Sequence, residues 1–352
     1  MKELEHLKVL DLSSVLAGPS VGTFLAELGA HVIKVEKPGG DVTRNWRLPN
    51  ESSDGVSAYY ASVNYGKEVH YLDLSEPSAQ QQIHRWMEEC DVLIENYKHA
   101  DLEKFSLTPE SIASLHPHLV HCHLQGFEFT LDRVAYDVVL QAETGFMYMN
   151  GSSSSGPIKM PVALIDVLAA HQMKQSILLG LYQRERTGKG SSFNVSLEGS
   201  ALAALVNQAS NYLMAGHVAQ PLGTQHPNIA PYGDLYKSHD NKWIVLAIGS
   251  DRQFEKMVTH LGAPELASDR RFQTNPQRVS HRQLLNEALA PLFAQQQAAP
   301  FLVWCHENFV PAGSIRSMDE VCDSALAKSM KLEEEQEGMM TTRLSSVAFK
   351  RN

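Results

Sequence analysis

Short apolar runs alternate with longer amphipathic stretches over the first third of the chain. KVLDL is a run of strand length, SSVLAGPS has turn composition, VGTFLAELGA is apolar at helical spacing, and HVIKVE is a second short run. That rhythm predicts strand, turn, helix, strand. Pro19 suits the first turn of the helix and Gly29 its C-terminal end. The rhythm then repeats, with EVHYLDL as strand, EPSAQQQIHRWMEEC as helix, DVLIEN as strand, HADLEKFSLTPESIASL as one or two helices and HLVHCHL as strand. Strands alternating with helices predict a parallel sheet covered on both faces.

Past residue 200 the texture changes. SLEGSALAALVNQASNYLMAG reads as one long helical segment, and HVAQPLGTQHPNIAPYG as a linker rich in Gly, Pro, Asn and His. DLYKSHDNKWIVLAI then carries two strand-like runs around an Asp240-Asn241 turn, and helical stretches follow near 251–261 and 282–298. This predicts a second, smaller α+β domain over about 225–325. The serine-rich GSSSSG reads as a loop.

Composition narrows the function classes. A hydrophobic fraction of 43% and a charged fraction of 20% describe an ordinary globular protein. No apolar run approaches the roughly 20 residues of a membrane span, and MKELEHLKVLDL lacks the apolar core of a signal peptide. The expectation is a cytoplasmic protein with no membrane partner. A net charge of −10 argues against nucleic acid as a partner and requires any anionic ligand to be held by a local basic cluster. The four cysteines are scattered and form no CxxC pair, which suits reduced thiols.

The opening strand–turn–helix–strand resembles a dinucleotide-binding unit, with Glu36 where a ribose-binding acid could sit. The turn SSVLAGPS lacks the GxGxxG glycines, so the pattern favours a plain sheet scaffold. The segment HPHLVHCHL places His116, His118, His121 and His123 close together, and His121 and His123 would share one face of a strand. No acidic residue or second Cys completes a ligand set at short spacing, so no metal site is expected.

One position stands apart. In PVALIDVLAAHQMKQSILLGLY, Asp166 interrupts an apolar opening. A helix from about there through Leu181 puts Asp166, Ala169, Ala170, Met173 and Ile177 on one face. One reading makes Asp166 an N-cap that satisfies first-turn N–H groups. The other makes it a nucleophile, kept ionised at neutral pH by the helix terminus. Pattern alone leaves both open.

The chain resembles the class III coenzyme A transferases, the CaiB/BaiF-type family that includes formyl-CoA transferase, carnitine CoA-transferase and α-methylacyl-CoA racemase. VLDLSSVLAGPSVGTFLAELGAHVIKVEKPGGDVTR, DVLIENYKHADLEKFSL, AYDVVLQAETGFM, LYQRERTGKG, APYGDLYKSHDNKWIVLAIGSDRQFEKM, RRFQTNPQRVSHR and VPAGSIRSMDEV follow one another in the order of that family's segments. The resemblance implies an α/β fold. A Rossmann-like large domain would span 1–200 and 326–352, with a linker over 201–224 and the small α+β domain over 225–325. It implies an interlocked homodimer, acyl-CoA and carboxylic acid substrates, and no cofactor beyond coenzyme A itself. It makes Asp166 the nucleophile that passes CoA from donor to acceptor through aspartyl anhydrides and an aspartyl-CoA thioester. It places CoA against Val15, Ala17, Lys37, Asn96, Tyr97 and Lys104.

Departures from the family's branches shape the rest. Tyr136 stands where the racemase branch has a histidine, and Gly249 and Ser250 stand where it has a glutamate. A phenol is a poor base for an α-proton at neutral pH. Leu16 replaces the glutamine of formyl-CoA transferase, and no glycine-rich lid follows, which argues against formate or oxalate. Leu16, Tyr136, Gly249 and Ser250 are therefore the expected substrate-pocket positions. The rival readings are a racemase of the same family, a dinucleotide-dependent enzyme and a non-catalytic CoA-binding protein.

Overall fold

The computed structural model describes residues 2–130 and 133–350. The chain forms two compact units: Met1–Phe146, Lys159–Val218 and Ala325–Asn352 make the first, and Met147–Ile158 with Ala219–Ser324 the second.

The first unit is built on a six-stranded sheet. Its strands are β1 (Lys8–Asp11), β2 (His31–Glu36), β3 (Lys67–Tyr71), β4 (Val92–Glu95), β5 (Val120–Gln125) and β6 (Ser191–Ser196). They lie in the order β3-β2-β1-β4-β5-β6, and every pair is parallel. The chain switches direction across the sheet between β1 and β4, the place where open α/β sheets form a ligand crevice.

Alternate residues of the central strands feed opposite cores. Val9, Val32, Val92 and Ile94 join the helices Ala17–Glu27 and Leu164–Thr187 on one face. Leu10, Ile33 and Leu93 join the helix Pro77–Glu89 and Ile112 of the helix Pro109–Leu115 on the other. That two-sided burial is why the four central strands read as apolar runs; β3 lies at one edge with no buried residue and is marked by its place in the strand–helix rhythm. The sixth, SSFNVS, escaped the sequence reading. It is an edge strand paired to β5 alone, and its polar alternate residues give no continuous apolar signal.

The helix carrying Asp166 runs Leu164–Thr187 and ends on Gly188, whose φ of 70° places it in the left-handed region suited to glycine. Ala169, Ala170, Met173 and Ile177 are buried, as the periodicity predicts. Two local expectations need correction, and one element was not foreseen. The segment after β6 is two helices, Leu197–Ala203 and Val206–Ala215, because the first half packs on the core through Leu197 and Ala201 while the second buries no residue. GSSSSG forms a small antiparallel hairpin, Gly151–Ser152 with Gly156–Pro157, closed by the Ser152 N–H donating to Ser155 Oγ at 2.8 Å. Near the C-terminus an unforeseen hairpin, Lys331–Gln336 with Met339–Leu344, attaches to the first unit, where Arg343 and Ser345 bond Glu27.

In the second unit, Tyr232–Lys237 and Trp243–Ala247 form the antiparallel pair read around Asn241, whose φ of 62° makes the turn. Ala312–Ser314 adds a third strand, and Tyr236, Ile244, Leu246, Phe254, Leu285 and Phe293 lie in its core. Among the described residues no helix is long and apolar enough to cross a membrane.

Candidate active site

Asp166 is the third residue of its helix, and its carboxylate caps nothing. The N-cap position is Ala163, and the first-turn N–H of Ile165 donates to Oδ1 of Asp137 at 2.7 Å. Asp137 opens the helix Asp137–Glu143, is buried, and receives the Gln141 side-chain amide on Oδ2 at 2.6 Å. Gln141 in turn accepts the Met160 N–H at 2.8 Å, tying down the approach to Asp166. One carboxylate therefore caps the helix and the other is left over. The capping reading belongs to Asp137.

The surroundings of Asp166 oppose its ionisation. Burial, and after it the nearby Asp137 charge, push its carboxyl up to about 7. The helix terminus cannot offset this through hydrogen bonds, because no N–H reaches the carboxylate. Tyr59 shares these surroundings: burial, then Asp166, Asp137 and Asp41, raise its phenol to about 12. Trp46 packs edge-on to Tyr59, with ring centroids 5.0 Å apart. Neither aromatic residue was singled out from the sequence: Trp46 follows a short helical turn and Tyr59 sits in the five-residue helix Ala58–Ser62, too short to give a periodic signal.

The turn after β1 is held from beneath by buried charges. Asp11 Oδ1 accepts the Ser13 N–H and hydroxyl, and Asp11 Oδ2 accepts Lys67 Nζ at 2.8 Å. Lys34 Nζ donates to the Ser13 carbonyl at 2.8 Å and lies 3.8 Å from Asp41. Asp41 accepts the N–H of Val15 at 3.1 Å. Val15 has φ 75°, a left-handed conformation that a β-branched residue keeps only when its surroundings enforce it. A Cβ on Gly18 would lie 2.4 Å from Ser13 Cβ, so the AGP glycine permits this tight turn.

Beside the turn, at the switch point, lies a cavity of about 610 Å³. Of the candidate residues, Val15, Asn96, Tyr97 and Tyr136 line it; Ala17, Leu16, Lys37, Lys104 and Asp166 are not among its lining residues. Asn96 is engaged in the scaffold: its side chain accepts the Ser14 N–H at 3.0 Å and donates to the Ser14 carbonyl at 3.1 Å. Tyr97 packs edge-on to Phe105. Lys37 is exposed, as is Lys104, whose Nζ lies 5.4 Å from the Phe105 ring centroid. Ala17 is buried as the first residue of its helix, and Leu16 is that helix's N-cap. Tyr136 is 48% exposed, at the N-cap of the Asp137 helix. Gly249 and Ser250 belong to the second unit, where Ser250 caps the helix Asp251–His260 in a reciprocal box with Gln253.

Two sequence readings resolve here. Glu36 is no free ribose acceptor: its carboxylate is taken by Arg44, the Tyr60 hydroxyl and the Asp41 N–H. His121 and His123 do share a side, and both bond the buried Glu95 of the neighbouring strand β4, at 3.0 and 2.6 Å. Spacing along the chain could not supply that acidic partner, which stands 26 and 28 residues away.

A parallel sheet with a cavity at its switch point, and an uncapped carboxylate on the first turn of a helix packed on that sheet, is the architecture of an α/β enzyme. Residues 4–349 match the model of CoA-transferase family III, and the chain belongs to that family and is a CoA-transferase. It is 37% identical over 326 residues to a succinate–glutarate CoA-transferase of Agrobacterium fabrum, covering 90% of this chain and 81% of that one. It is 35% identical over 325 residues to the human succinyl-CoA:glutarate CoA-transferase, covering 91% of this chain and 73% of the relative. A crystal structure of a CaiB/BaiF family protein from Brucella suis superposes with a TM-score of 0.85 at 35% identity, over 97% of this chain and 91% of that one.

Proposed function

We propose that the protein moves coenzyme A between a dicarboxylic acyl-CoA and a free dicarboxylic acid, with Asp166 as the nucleophile. The observation that carries this reading is the unpaired, partly buried Asp166 carboxylate beside a second carboxylate already committed to capping. Several similar enzymes act on dicarboxylic acids by name, including those for glutarate, mesaconate and oxalate.

In the proposed reaction, the ionised Asp166 oxygen attacks the donor thioester carbonyl and expels CoA thiolate, forming a mixed anhydride. The thiolate attacks the aspartyl carbonyl, releasing the donor acid and leaving an aspartyl-CoA thioester. The acceptor carboxylate attacks that thioester, again expelling the thiolate. The thiolate then takes the acceptor acyl group and frees Asp166. One thioester replaces another, so no nucleotide hydrolysis is required. Desolvation makes the carboxylate a stronger nucleophile once ionised, and the catalytically active form grows as pH rises through about 7.

The first unit serves as the CoA domain in this reading, with the strained Val15 turn, Asn96 and Tyr97 shaping the cavity and Lys37 and Lys104 approaching CoA phosphates. A homodimer completes the molecule. The helix Val206–Ala215 buries none of its residues within the chain and exposes Tyr212, Leu213 and Met214, a face suited to a second copy. Three buried, unpaired cysteines fit a reducing cytoplasm.

The test is to mix the protein with succinyl-CoA and a panel of other acyl-CoAs and examine its peptides by mass spectrometry. A hydroxylamine-sensitive adduct on the peptide containing Asp166 is expected, with CoA passed on to glutarate or a similar diacid. Turnover with no adduct on that peptide, together with an active Asp166→Asn variant free of deamidation, would refute the nucleophile.

A further inference from the structure

The Glu95 carboxylate is fully buried, yet it accepts three hydrogen bonds. Oε1 takes His121 Nε2 at 3.0 Å and His123 Nδ1 at 2.6 Å, and Oε2 takes the Tyr97 N–H at 2.9 Å. These bonds hold its acid below the ordinary carboxylate range in spite of burial, so the group is an anion without water. A buried anion needs a counter-charge. The side chains bonded to it are the two imidazoles.

The two rings are placed differently. His121 is fully buried, and its other nitrogen meets the Ser192 hydroxyl at 3.2 Å. His123 lines the 610 Å³ cavity, its side chain is 12% exposed, and its Nε2 has no partner among the described residues. The bond to Glu95 fixes a proton on His123 Nδ1, and the positive form presents a second N–H, from Nε2, toward the cavity. Around it, among the described residues, the cavity wall carries Lys98, His99 and Arg133 against the acid Glu110, with Arg133 already paired to Glu143.

We infer that His123 is an anion contact of this cavity, with Glu95 as its positioning residue, and that the anion is a phosphate of coenzyme A. The inference rests on the CoA reading of the cavity. The 3′-phosphate and the diphosphate of CoA share the chemistry that His123 would recognise.

Calorimetric titration of the full-length protein with CoA and with dephospho-CoA tests it. His123→Gln is expected to weaken CoA binding about tenfold, the loss of one charge-assisted hydrogen bond. A loss confined to CoA assigns the contact to the 3′-phosphate; an equal loss with dephospho-CoA assigns it to the diphosphate. In the wild type, CoA should protect the His123 peptide from carbethoxylation by diethyl pyrocarbonate, a readout that needs no variant to fold. If Tyr97→Ala weakens CoA binding while His123→Gln does not, and the His123 peptide is unprotected, the histidine inference falls and the cavity reading stands. If neither variant changes CoA affinity, the CoA reading of the cavity falls with it.

Discussion

Asp11 and Asp166 are aspartates removed from most of their water, and the protein drives them in opposite directions. Asp11 sits at the end of β1. Burial alone would raise its acid, but Lys67 and Lys34, with hydrogen bonds from Lys67 and Ser13, hold it below the usual value. Asp166 has the same side chain and, among the described residues, no cation or donor at its carboxylate, so burial and Asp137 carry it up to about 7. The difference lies in the partners, and in the proposed reaction it separates a scaffold from a reagent. A carboxylate whose lone pairs are committed cannot attack a thioester; one left uncommitted is held at a cost to the fold.

That cost gives the two residues opposite pH signatures. Asp11, with its folded acid lowered, contributes stability above about pH 4, and the contribution is lost as pH falls through its folded value. Asp166, with its folded acid raised, is tolerated best protonated, so stability declines as pH rises from about 4 through about 7.

The largest effect should come from Asp166→Asn. Transferase activity should fall at least about a thousandfold, while chemical denaturation at pH 8 should show the variant more stable than the wild type, by about 2 kcal/mol. A variant that is inactive and destabilised would mean that Asp166 is structural like Asp11, and the contrast would break. Next in size, Lys67→Met should leave Asp11 buried without its nearest cation and lower stability by about 3–5 kcal/mol, read by urea denaturation at pH 7. An unchanged midpoint would show that Lys34 alone can hold Asp11.

Asp137→Asn sharpens the comparison rather than breaking it. Asparagine can still accept the Ile165 N–H, but the neighbouring charge is gone. The acid limb of the pH–rate profile should move from about 7 toward lower pH, with a fold still intact by circular dichroism. An unmoved limb would leave desolvation as the whole cause of the Asp166 shift. Lys37→Ala and Lys104→Ala should each raise the Michaelis constant for acyl-CoA up to about tenfold with smaller changes in turnover. Wild-type constants in both would remove these lysines from the CoA site. The smallest effect is expected from Tyr136→Phe, which should keep most activity because the proposed reaction moves no α-proton. An inactive variant with normal CoA affinity would give that phenol a positioning role.

Much of this was legible in the chain. The apolar runs marked the four central strands because these are buried on both faces, and the helical spacing of Ala169, Ala170, Met173 and Ile177 marked the face behind Asp166. The family segments named Asp166 and the turn at Val15. SSFNVS was illegible as a strand because its polar residues break any apolar run and it follows a helix in no repeated rhythm, whereas the other edge strand, KEVHY, was read from the strand–helix alternation.

The sequence by itself determined the parallel α/β architecture, the family and the position of the odd carboxylate, because each of these is written in local periodicity or in contiguous motifs. Only the tertiary structure decided which carboxylate caps the helix, why the Asp166 carboxyl is pushed up to about 7, which charge holds Val15, and that Glu95 joins His121 and His123. Burial and hydrogen-bond partnership depend on groups brought together from distant strands. No spacing along one chain encodes how many donors will reach a given oxygen.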